Sequence, residues 1–287
     1  MPLKSYRVCI IVPPGYKHSL CFVEVGFLLK HSLVSCGKEC DIAINDFARD
    51  RINIILGWHL LPFKPEHASF TYIPYQLEQL GTDTWSAFSQ EVIATLLHAS
   101  DVWDYSEENV GFLAKKGIRA RHLPIGFHQK LEMVPLNRPK DIDVFFFGSI
   151  GKRRQETLTL LRNEKKLKIQ ALFGVYGKDR DEYIARSKII LNIHFYSAKI
   201  FEAVRISYLL NNRCFVISEE SEINPYPKID LRMVPYDDLS EACCRALADE
   251  AEITRMGNVN FEEFKKNYPM TDLIHALIEE RGKAGPF

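Results

Sequence analysis

A glycine-containing basic loop follows a short apolar run near the middle of the chain. The run DVFFF (143–147) is followed by GSIGKRR (148–154) and then by a stretch with helical character. Glycines let the backbone approach a ligand closely, and a helix start offers free N–H groups and the positive end of a dipole. Lys152 and Arg153 can neutralise a diphosphate. The loop matches neither the dinucleotide fingerprint nor a Walker loop, so a solvated basic turn is the alternative interpretation.

A second polar loop follows another apolar run further along the chain. The run IILNI (189–193) leads into HFYS (194–197), and a predicted helix at 199–211 comes next. Lys199, Glu202 and Arg205 are spaced three residues apart, which predicts that they share one helical face. A carboxylate in the first turn after a strand can accept hydrogen bonds from two ribose hydroxyls, and the loop can stack on a base or donate to a phosphate. An exposed ion-pair ladder is the alternative.

The elements that must position these residues alternate between strand and helix. Helical periodicity appears at 19–35, 86–99, 107–116, 237–248 and 259–281, and short β-rich runs are predicted at 7–12, 41–44, 53–57, 70–74, 101–106, 121–126, 143–147, 168–173, 188–193, 214–217 and 231–234. This alternation predicts parallel sheets covered on both faces. A segment with two prolines, 131–143, separates the two halves. The expected domains are therefore 1–135 and 136–287, and the last helix is free to pack back on the first.

Composition excludes several classes of protein. Of 287 residues, 46% are apolar, and 37 Lys and Arg balance 37 Asp and Glu, so no overall field favours nucleic acid. No apolar run approaches the ~20 residues of a membrane-spanning helix. The first dozen residues predict a buried strand rather than a signal peptide.

Cysteine and acidic residues give no sign of a metal site. The seven scattered cysteines lack zinc-ligand spacing and indicate reduced thiols in a cytoplasmic protein, with peripheral association at an inner membrane face left open. The acidic run Glu219, Glu220 and Glu222 is interpreted as solvated loop. The three tryptophans are assigned mainly to buried packing.

Three segments together resemble the nucleotide-sugar half of GT-B glycosyltransferases. They are DVFFFGSIGKRR (143–154), GVYGKDRDEYIARSKIILNIHF (174–195) and KIFEAVRISYLLNNRCFVISEE (199–220). The similarity is strongest to the bacterial spore-maturation (CgeB-like) and polysaccharide group. LLHASDVWDYSEENVGFLAKKGIRARHLPIGF (96–127) resembles the end of the acceptor lobe in the same families. The resemblance implies an α/β fold of two Rossmann-like parallel-sheet lobes facing across a cleft.

The resemblance also implies roles for individual residues. A diphosphate would lie against Gly148, Ser149 and either Lys152 or Arg153, and Glu202 would bind the donor ribose near Arg205. The other residues assigned to the donor are Tyr176, His194, Tyr196 and Lys199. Many retaining members carry two glutamates separated by seven residues on this helix. Here the residue eight positions before Glu202 is His194 and the residue eight positions after it is Leu210, which leaves retention or inversion of configuration open.

If configuration inverts, the first lobe must supply a base that deprotonates the acceptor hydroxyl. Candidates at predicted strand ends are His18, His59 and Glu78, one of which is expected to act, while Asp101 is interpreted as structural. For each of the three, a surface or capping group is the alternative. No DxD metal signature is visible, so no metal or other cofactor is expected, and cations would stabilise the leaving diphosphate.

The sequence therefore predicts a metal-independent glycosyltransferase with a nucleotide-sugar donor and a hydroxyl acceptor on a glycan or lipid-linked saccharide. Three alternatives stay open. One is a nucleotide-sugar epimerase of the same fold, another is a non-catalytic nucleotide-sugar-binding module, and the third is a phage-type DNA glycosyltransferase, which the zero net charge disfavours. The donor sugar, its base, the acceptor and the oligomeric state are not determined by the sequence.

Overall fold

A computed structural model describes residues 5–163, 165–196 and 199–284, without the side chains of 82, 83 and 281–284. The chain divides into two compact units, Met1–Lys130 with Tyr268–Phe287, and Leu131–Asn267. The boundary falls after Lys130 rather than at 135. Asn212 of the second unit explains this position, since its amide donates to the Leu131 carbonyl (2.9 Å) and accepts from the Met133 N–H (2.7 Å).

The first unit contains a parallel sheet of six strands. In chain order they are β1 (Tyr6–Ile10), β2 (Cys40–Ile44), β3 (Ile52–Leu56), β4 (Tyr72–Gln76), β5 (Trp103–Asp104) and β6 (Arg121–His122), and they lie side by side as β2-β1-β3-β4-β5-β6. Val8 of β1 pairs with Ile42 on one side and Ile54 on the other. All five residues of β3 are buried, as expected for a central strand covered on both faces.

Helices and aromatic side chains cover this sheet. The helices are α1 (Val23–Ser35), α2 (Thr82–Ser86), α3 (Gln90–Leu97) and α4 (Glu107–Lys115). Ser89 and Ser106 cap α3 and α4 by accepting hydrogen bonds from Val92 and Asn109 N–H groups. Trp58 and Trp103 are fully buried, so for these two the predicted packing role is confirmed.

The second unit contains a parallel sheet of five strands. They are β7 (Ile142–Phe147), β8 (Ile169–Leu172), β9 (Ser187–Asn192), β10 (Val216–Glu219) and β11 (Arg232–Val234), in the order β11-β10-β9-β7-β8. The helices are α5 (Lys152–Asn163), α6 (Gly177–Arg186), α7 (Ala203–Asn211), α8 (Leu239–Leu247) and α9 (Glu250–Asn267). Val144, Ile189 and Ile217 of three neighbouring strands pack together in its core.

The segment 259–281, predicted to be mostly helical, is divided between two helices. Helix α9 ends at Asn267, and a separate helix α10 (Met270–Ala284) follows and belongs to the first unit. Pro269 accounts for the break, because a proline disfavours helical geometry at the preceding residue. The Phe127 N–H donates to the Tyr268 carbonyl (2.7 Å) and the Met270 N–H donates to the Phe127 carbonyl (2.8 Å), which ties the start of α10 to the end of the first sheet.

Each sheet has one point at which the strand order reverses. In the first unit the chain passes from β1 to β2 on one side and then to β3 on the other, and in the second unit β7 stands between β8 and β9 in the same way. Loops that leave such neighbouring strands diverge and open a crevice at the carboxyl ends, where α/β proteins bind ligands. Among the described residues, no helix has the length and apolar character needed to cross a bilayer. All seven cysteines are in the reduced, thiol form.

Candidate functional site

The loop after β7 lies at the reversal point of the second sheet. Gly148 has a φ of 133°, in the region that favours glycine, and a Cβ there would lie 2.8 Å from Nη2 of Arg205. Glycine therefore lets the Arg205 guanidinium lie against this turn. Helix α5 begins four residues later at Lys152, so its free N–H groups also face the carboxyl edge of the sheet.

Arg154 ties this loop to the end of β9. The residue is only 3% exposed, and its guanidinium donates to the Ile193 carbonyl from Nε (2.9 Å) and Nη2 (2.6 Å), and to the Ser149 carbonyl from Nη1 (2.8 Å). Nη2 also lies 3.1 Å from Oε1 of Glu202. Burial lowers the pKa of Arg154 to about 10, and the Glu202 carboxylate opposes that change, so the side chain stays charged at neutral pH.

Glu202 precedes helix α7 instead of lying within it. The helix begins at Ala203, and the Glu202 carbonyl accepts hydrogen bonds from the Arg205 and Ile206 N–H groups. Lys199 has a φ of 48° and is not helical. The prediction that Lys199, Glu202 and Arg205 share one helical face is therefore wrong, because a three-residue spacing defines a face only where the chain is helical throughout.

Arg205 links Glu202 to the end of β9. Its Nη1 donates to Oε2 of Glu202 and to Oδ1 of Asn192, the last residue of that strand. Its Nε is buried and has no hydrogen-bond partner within the described part of the chain. A buried, unsatisfied guanidinium nitrogen beside a glycine turn is a donor that an anionic ligand can satisfy.

Glu219 organises a second ion cluster at the same edge. Its side chain is fully buried at the end of β10 and accepts from Arg153 Nη2 (2.7 Å), from the His194 N–H (3.1 Å) and, as an ion pair, from Lys199 Nζ (3.3 Å). Burial raises the pKa of Glu219, but the hydrogen bonds from Arg153 and the His194 N–H outweigh burial and hold the pKa below its usual value. The interpretation of Glu219 as a solvated loop residue is wrong.

His194 is almost fully buried between the two clusters. Its Nε2 lies 3.0 Å from the Glu220 carbonyl and 3.1 Å from the Ser221 hydroxyl. Its Nδ1 is 4.0 Å from Oε1 of Glu202 and makes no hydrogen bond to any described residue. Burial lowers the pKa of His194, so the ring is neutral at pH 7.

The remaining donor-site candidates separate into two groups. Phe195 and Tyr196 are about half exposed with ring centroids 5.1 Å apart, so both rings are available to stack on a ligand. Lys152 is not part of the cluster, because its side chain is 91% exposed and pairs with Glu156 on the same helix. Tyr176 lies at the start of α6, beyond β8. Ser197, which follows Tyr196 in the loop after β9, lies outside the described residues.

The clusters around Glu202 and Glu219 carry a net positive charge. Four cationic side chains face two carboxylates, which leaves a net charge of +2 for the set Arg153, Arg154, Lys199, Arg205, Glu202 and Glu219. Both clusters lie at the carboxyl ends of β7, β9 and β10. The arrangement suits a dianionic group such as a diphosphate.

The three candidate bases follow neighbouring strands of the first sheet: His18 follows β1 and His59 follows β3 at the reversal point, and Glu78 follows the adjacent strand β4. His59 follows β3 after Gly57, whose φ is 77°, and Glu78 follows β4. His59 Nε2 lies 3.8 Å from Glu78 Oε1. Burial lowers the pKa of His59, and the Glu78 carboxylate opposes that shift. A neutral imidazole beside a carboxylate is suited to accept a proton and to be stabilised once charged.

His18 is connected to this pair through Tyr16. Its ring centroid is 5.2 Å from that of Tyr16, and burial together with the Glu78 charge raises the pKa of Tyr16. Asp101 instead forms an ion pair with Arg121 and accepts from the Trp103 indole at 3.0 Å, in agreement with its predicted structural role.

Sequence reasoning missed Arg154 and Glu219. Their signal was position, since Glu219 ends β10 and Arg154 lies in the first turn of α5, just after the loop that follows β7. A basic residue at the start of a helix and an acidic residue beside a loop are usually solvated. Only the fold shows that these two are buried.

Comparison with known proteins gives relatives in a giant virus and solved structures with the same fold. No family model matches the chain. Uncharacterized protein L140 of Acanthamoeba polyphaga mimivirus is 23% identical over 261 residues, which are 88% of this chain and 78% of that protein. Protein R358 of the same virus is 26% identical over 258 residues, 83% of this chain and 87% of that protein. Protein L138 is 25% identical over 158 residues, and this chain spans only 18% of its length.

Three solved structures show the same architecture. AviGT4, a glycosyltransferase involved in avilamycin A biosynthesis, has a TM-score of 0.57 at 12% identity and covers 97% of this chain and 96% of its own. OtsA has a TM-score of 0.56 at 12% identity, with 94% and 78% covered. S. aureus TarM has a TM-score of 0.59 at 11% identity, and the chain spans 55% of its length. The protein therefore has the two-sheet α/β fold of GT-B glycosyltransferases.

Proposed function

We propose that the protein is a glycosyltransferase that moves a sugar from a nucleotide-sugar donor to a hydroxyl acceptor. The observation that carries the proposal is the net +2 cluster beside the Gly148 turn, at the reversal point of a parallel sheet. This is where α/β proteins of this type bind nucleotides, and the charge matches that of a diphosphate.

In the donor site, Arg205 and the N–H groups at the start of α5 would hold the diphosphate. Glycosyl transfer places negative charge on the leaving diphosphate, and fixed cations and dipoles stabilise that charge most effectively in a site with little water. Glu202 accepts from Arg154 and Arg205 while keeping its side chain 13% exposed, so it can also accept from the ribose hydroxyls. Arg154 holds the Glu202 carboxylate in place through its own hydrogen bond.

In the acceptor site, His59 and Glu78 would activate the hydroxyl. The neutral imidazole takes the proton from the acceptor, and the carboxylate 3.8 Å away stabilises the imidazolium. His18 and Tyr16 would line the approach to this pair. For transfer to occur, the activated oxygen must reach the donor carbon, and the geometry of that attack decides whether configuration is kept or inverted.

Several fold neighbours have ligands of the proposed kind. One TarM structure is a complex with UDP, α-GlcNAc-glycerol and fondaparinux, and a trehalose-6-phosphate synthase structure concerns glycosyl transfer with retention. These proteins support a nucleotide-sugar donor and a glycan or other hydroxyl acceptor for this chain. Metal independence is part of the proposal, with protein cations in the role that a divalent ion takes elsewhere.

A thermal-shift screen with a panel of sugar nucleotides tests the donor. A donor at one hundred times its Kd stabilises the folded protein by about 2.7 kcal/mol. Arg205→Met removes charged hydrogen bonds worth about 1.5–3 kcal/mol and should weaken donor binding roughly 10- to 100-fold. Lys152→Met, at an exposed cation of the adjacent helix, should bind the donor like the wild type. The proposal fails if no sugar nucleotide raises the melting temperature and none is consumed.

Turnover assays separate the alternatives. Donor hydrolysis that depends on His59 or Glu78 supports a transferase, and sugar interconversion without an acceptor supports an epimerase. Tight binding with no turnover of any donor indicates a binding module. Salt-sensitive retention on DNA indicates a DNA glycosyltransferase.

A further inference from the structure

Three fully buried polar side chains lie beneath the loop that carries Glu78. Gln76, Asp104 and Asn109 are each 0% exposed, and they come from β4, β5 and α4. Burying polar groups costs free energy unless they are hydrogen-bonded, so their bonds show what the network holds in place.

Gln76 contacts the backbone of Glu78 on both sides. Its Oε1 accepts from the Glu78 N–H (2.8 Å), and its Nε2 donates to the Glu78 carbonyl (2.5 Å). The same Oε1 accepts from the indole N–H of Trp58 (3.2 Å), the residue before His59. One buried amide thus joins the segment that carries Glu78 to the segment that carries His59.

Asn109, in helix α4, binds the same loop. Its Nδ2 donates to the Glu78 carbonyl (2.8 Å), and its Oδ1 accepts from the Leu80 N–H (2.9 Å). Its Nδ2 also donates to Oδ1 of Asp104 (3.0 Å), which accepts in addition from the Ser106 N–H (2.9 Å). Asp104 therefore fixes the orientation of the Asn109 amide.

We propose that Gln76, Asp104 and Asn109 are positioning residues that fix the Glu78 backbone and so hold its carboxylate beside His59. The inference rests on the proposed function, in which that pair activates the acceptor. Three hydrogen bonds reach the backbone of Glu78, one at its N–H and two at its carbonyl, while the Glu78 side chain itself is only part-buried. We call these hydrogen bonds from Gln76 and Asn109 to the Glu78 backbone the clamp. Without it, a part-exposed carboxylate on a loop would sample many positions and lose its contact with His59.

The surroundings of His59 make the effect measurable. The rings of Phe22, Trp58 and Phe88 pack around its imidazole, and Glu78 is the charged group that acts on it. Glu78 also acts on Tyr16, which in addition feels the charge of Cys21. The titration of His59 thus reports how closely Glu78 is held.

The experiment is an NMR titration of His59 in the full-length protein without any sugar nucleotide. Glu78→Gln should lower the His59 pKa in the wild-type background, because it removes the charge that favours the imidazolium. In Asn109→Leu the same Glu78→Gln change should have roughly half that effect or less, since the carboxylate is no longer held in place. Asn109→Ser and Gln76→Met carry the same expectation should Asn109→Leu fail to fold.

Asn53→Leu is a matched control. Asn53 is also fully buried in the first unit, and its side chain holds the backbone of Ala48. It accepts from the Ala48 N–H (2.8 Å), donates to the Ala48 carbonyl (2.8 Å) and makes no hydrogen bond to the loop that carries Glu78. Its loss should lower the melting temperature to a similar extent and leave the effect of Glu78→Gln on His59 unchanged.

The outcomes separate this inference from the proposed function. An undiminished effect of Glu78→Gln in folded Asn109→Leu overturns the positioning role, whether or not the protein transfers sugar. A smaller effect of Glu78→Gln on the His59 pKa in Asn109→Leu supports the positioning role. If the wild-type protein at the same time neither binds nor consumes any sugar nucleotide, the proposed function is overturned while the positioning role stands.

Discussion

The substitution Arg154→Met tests whether one buried guanidinium holds the donor site together. Arg154 donates to the Ile193 and Ser149 carbonyls and to Glu202, and methionine can make none of these bonds. Each buried acceptor left without a partner costs about 1–3 kcal/mol, and breaking a buried ion pair costs about 3–5 kcal/mol. Glu202 keeps Arg205, so we expect a total loss of about 3–5 kcal/mol.

Urea unfolding of the second unit measures this loss. All three tryptophans, Trp58, Trp85 and Trp103, lie in the first unit, so tryptophan fluorescence follows that unit alone. Far-UV circular dichroism combined with hydrogen exchange of amides in Leu131–Asn267 reports the second unit. Lys152→Met, at a 91% exposed side chain, is the control and should stay within ~0.5 kcal/mol of wild type.

A double-mutant cycle identifies the ion pair as the cause. Glu202→Gln removes the charge that faces Arg154, so the double variant should lose less than the sum of the single variants, by roughly 0.5–3 kcal/mol. A loss below about 1 kcal/mol for Arg154→Met, or strict additivity in the cycle, would refute the reasoning.

Three further substitutions test the surrounding cluster. Gly148→Ala should cost about 1–3 kcal/mol and weaken donor binding, because of its φ of 133° and the nearby Arg205 guanidinium, whereas Gly151→Ala meets only Phe195 at 3.5 Å and should be tolerated. Chemical denaturation and donor titration of both variants check this. Glu219→Gln should destabilise the second unit by about 1.5–3 kcal/mol, measured in urea, since the fully buried side chain loses its charged hydrogen bonds with Arg153 and the His194 N–H. Burial lowers the pKa of His194 in the folded state below its value in the unfolded state. As the pH drops below about 6.5, the unfolded chain therefore takes up a proton on this ring before the folded protein does, and the free energy of unfolding should fall. In His194→Gln, urea midpoints should depend less on pH over that range, and an unchanged slope would contradict the assignment.

The strands and their parallel pairing were predictable because they depend on local patterns. Apolar runs such as INIIL and DVFFF, separated by amphipathic stretches, indicate strands buried on both faces with helices between them. All eleven predicted strands are present. The exact end of a helix was not predictable where only one residue, Pro269, interrupts a long periodic stretch.

The sequence predicted where along the chain the candidate site residues lie, but not which of their side chains come into contact. Strand ends gave Gly148, Glu202, His59 and Glu78, because loops at the carboxyl edge are where such folds expose side chains. Spacing alone could not show that the Lys152 side chain is exposed, because a basic residue on the first turn of a helix can face either the sheet or the solvent.

The sequence by itself determined that two parallel α/β sheets form and that their reversal points carry polar loops. The tertiary structure alone decided which charges are buried and with what partners. Arg154 meets Glu202, and Arg153 meets Glu219, across sequence separations of 48 and 66 residues. Such pairs form only when β7, β9 and β10 lie side by side, because strand order, which no local pattern encodes, determines which loops become neighbours.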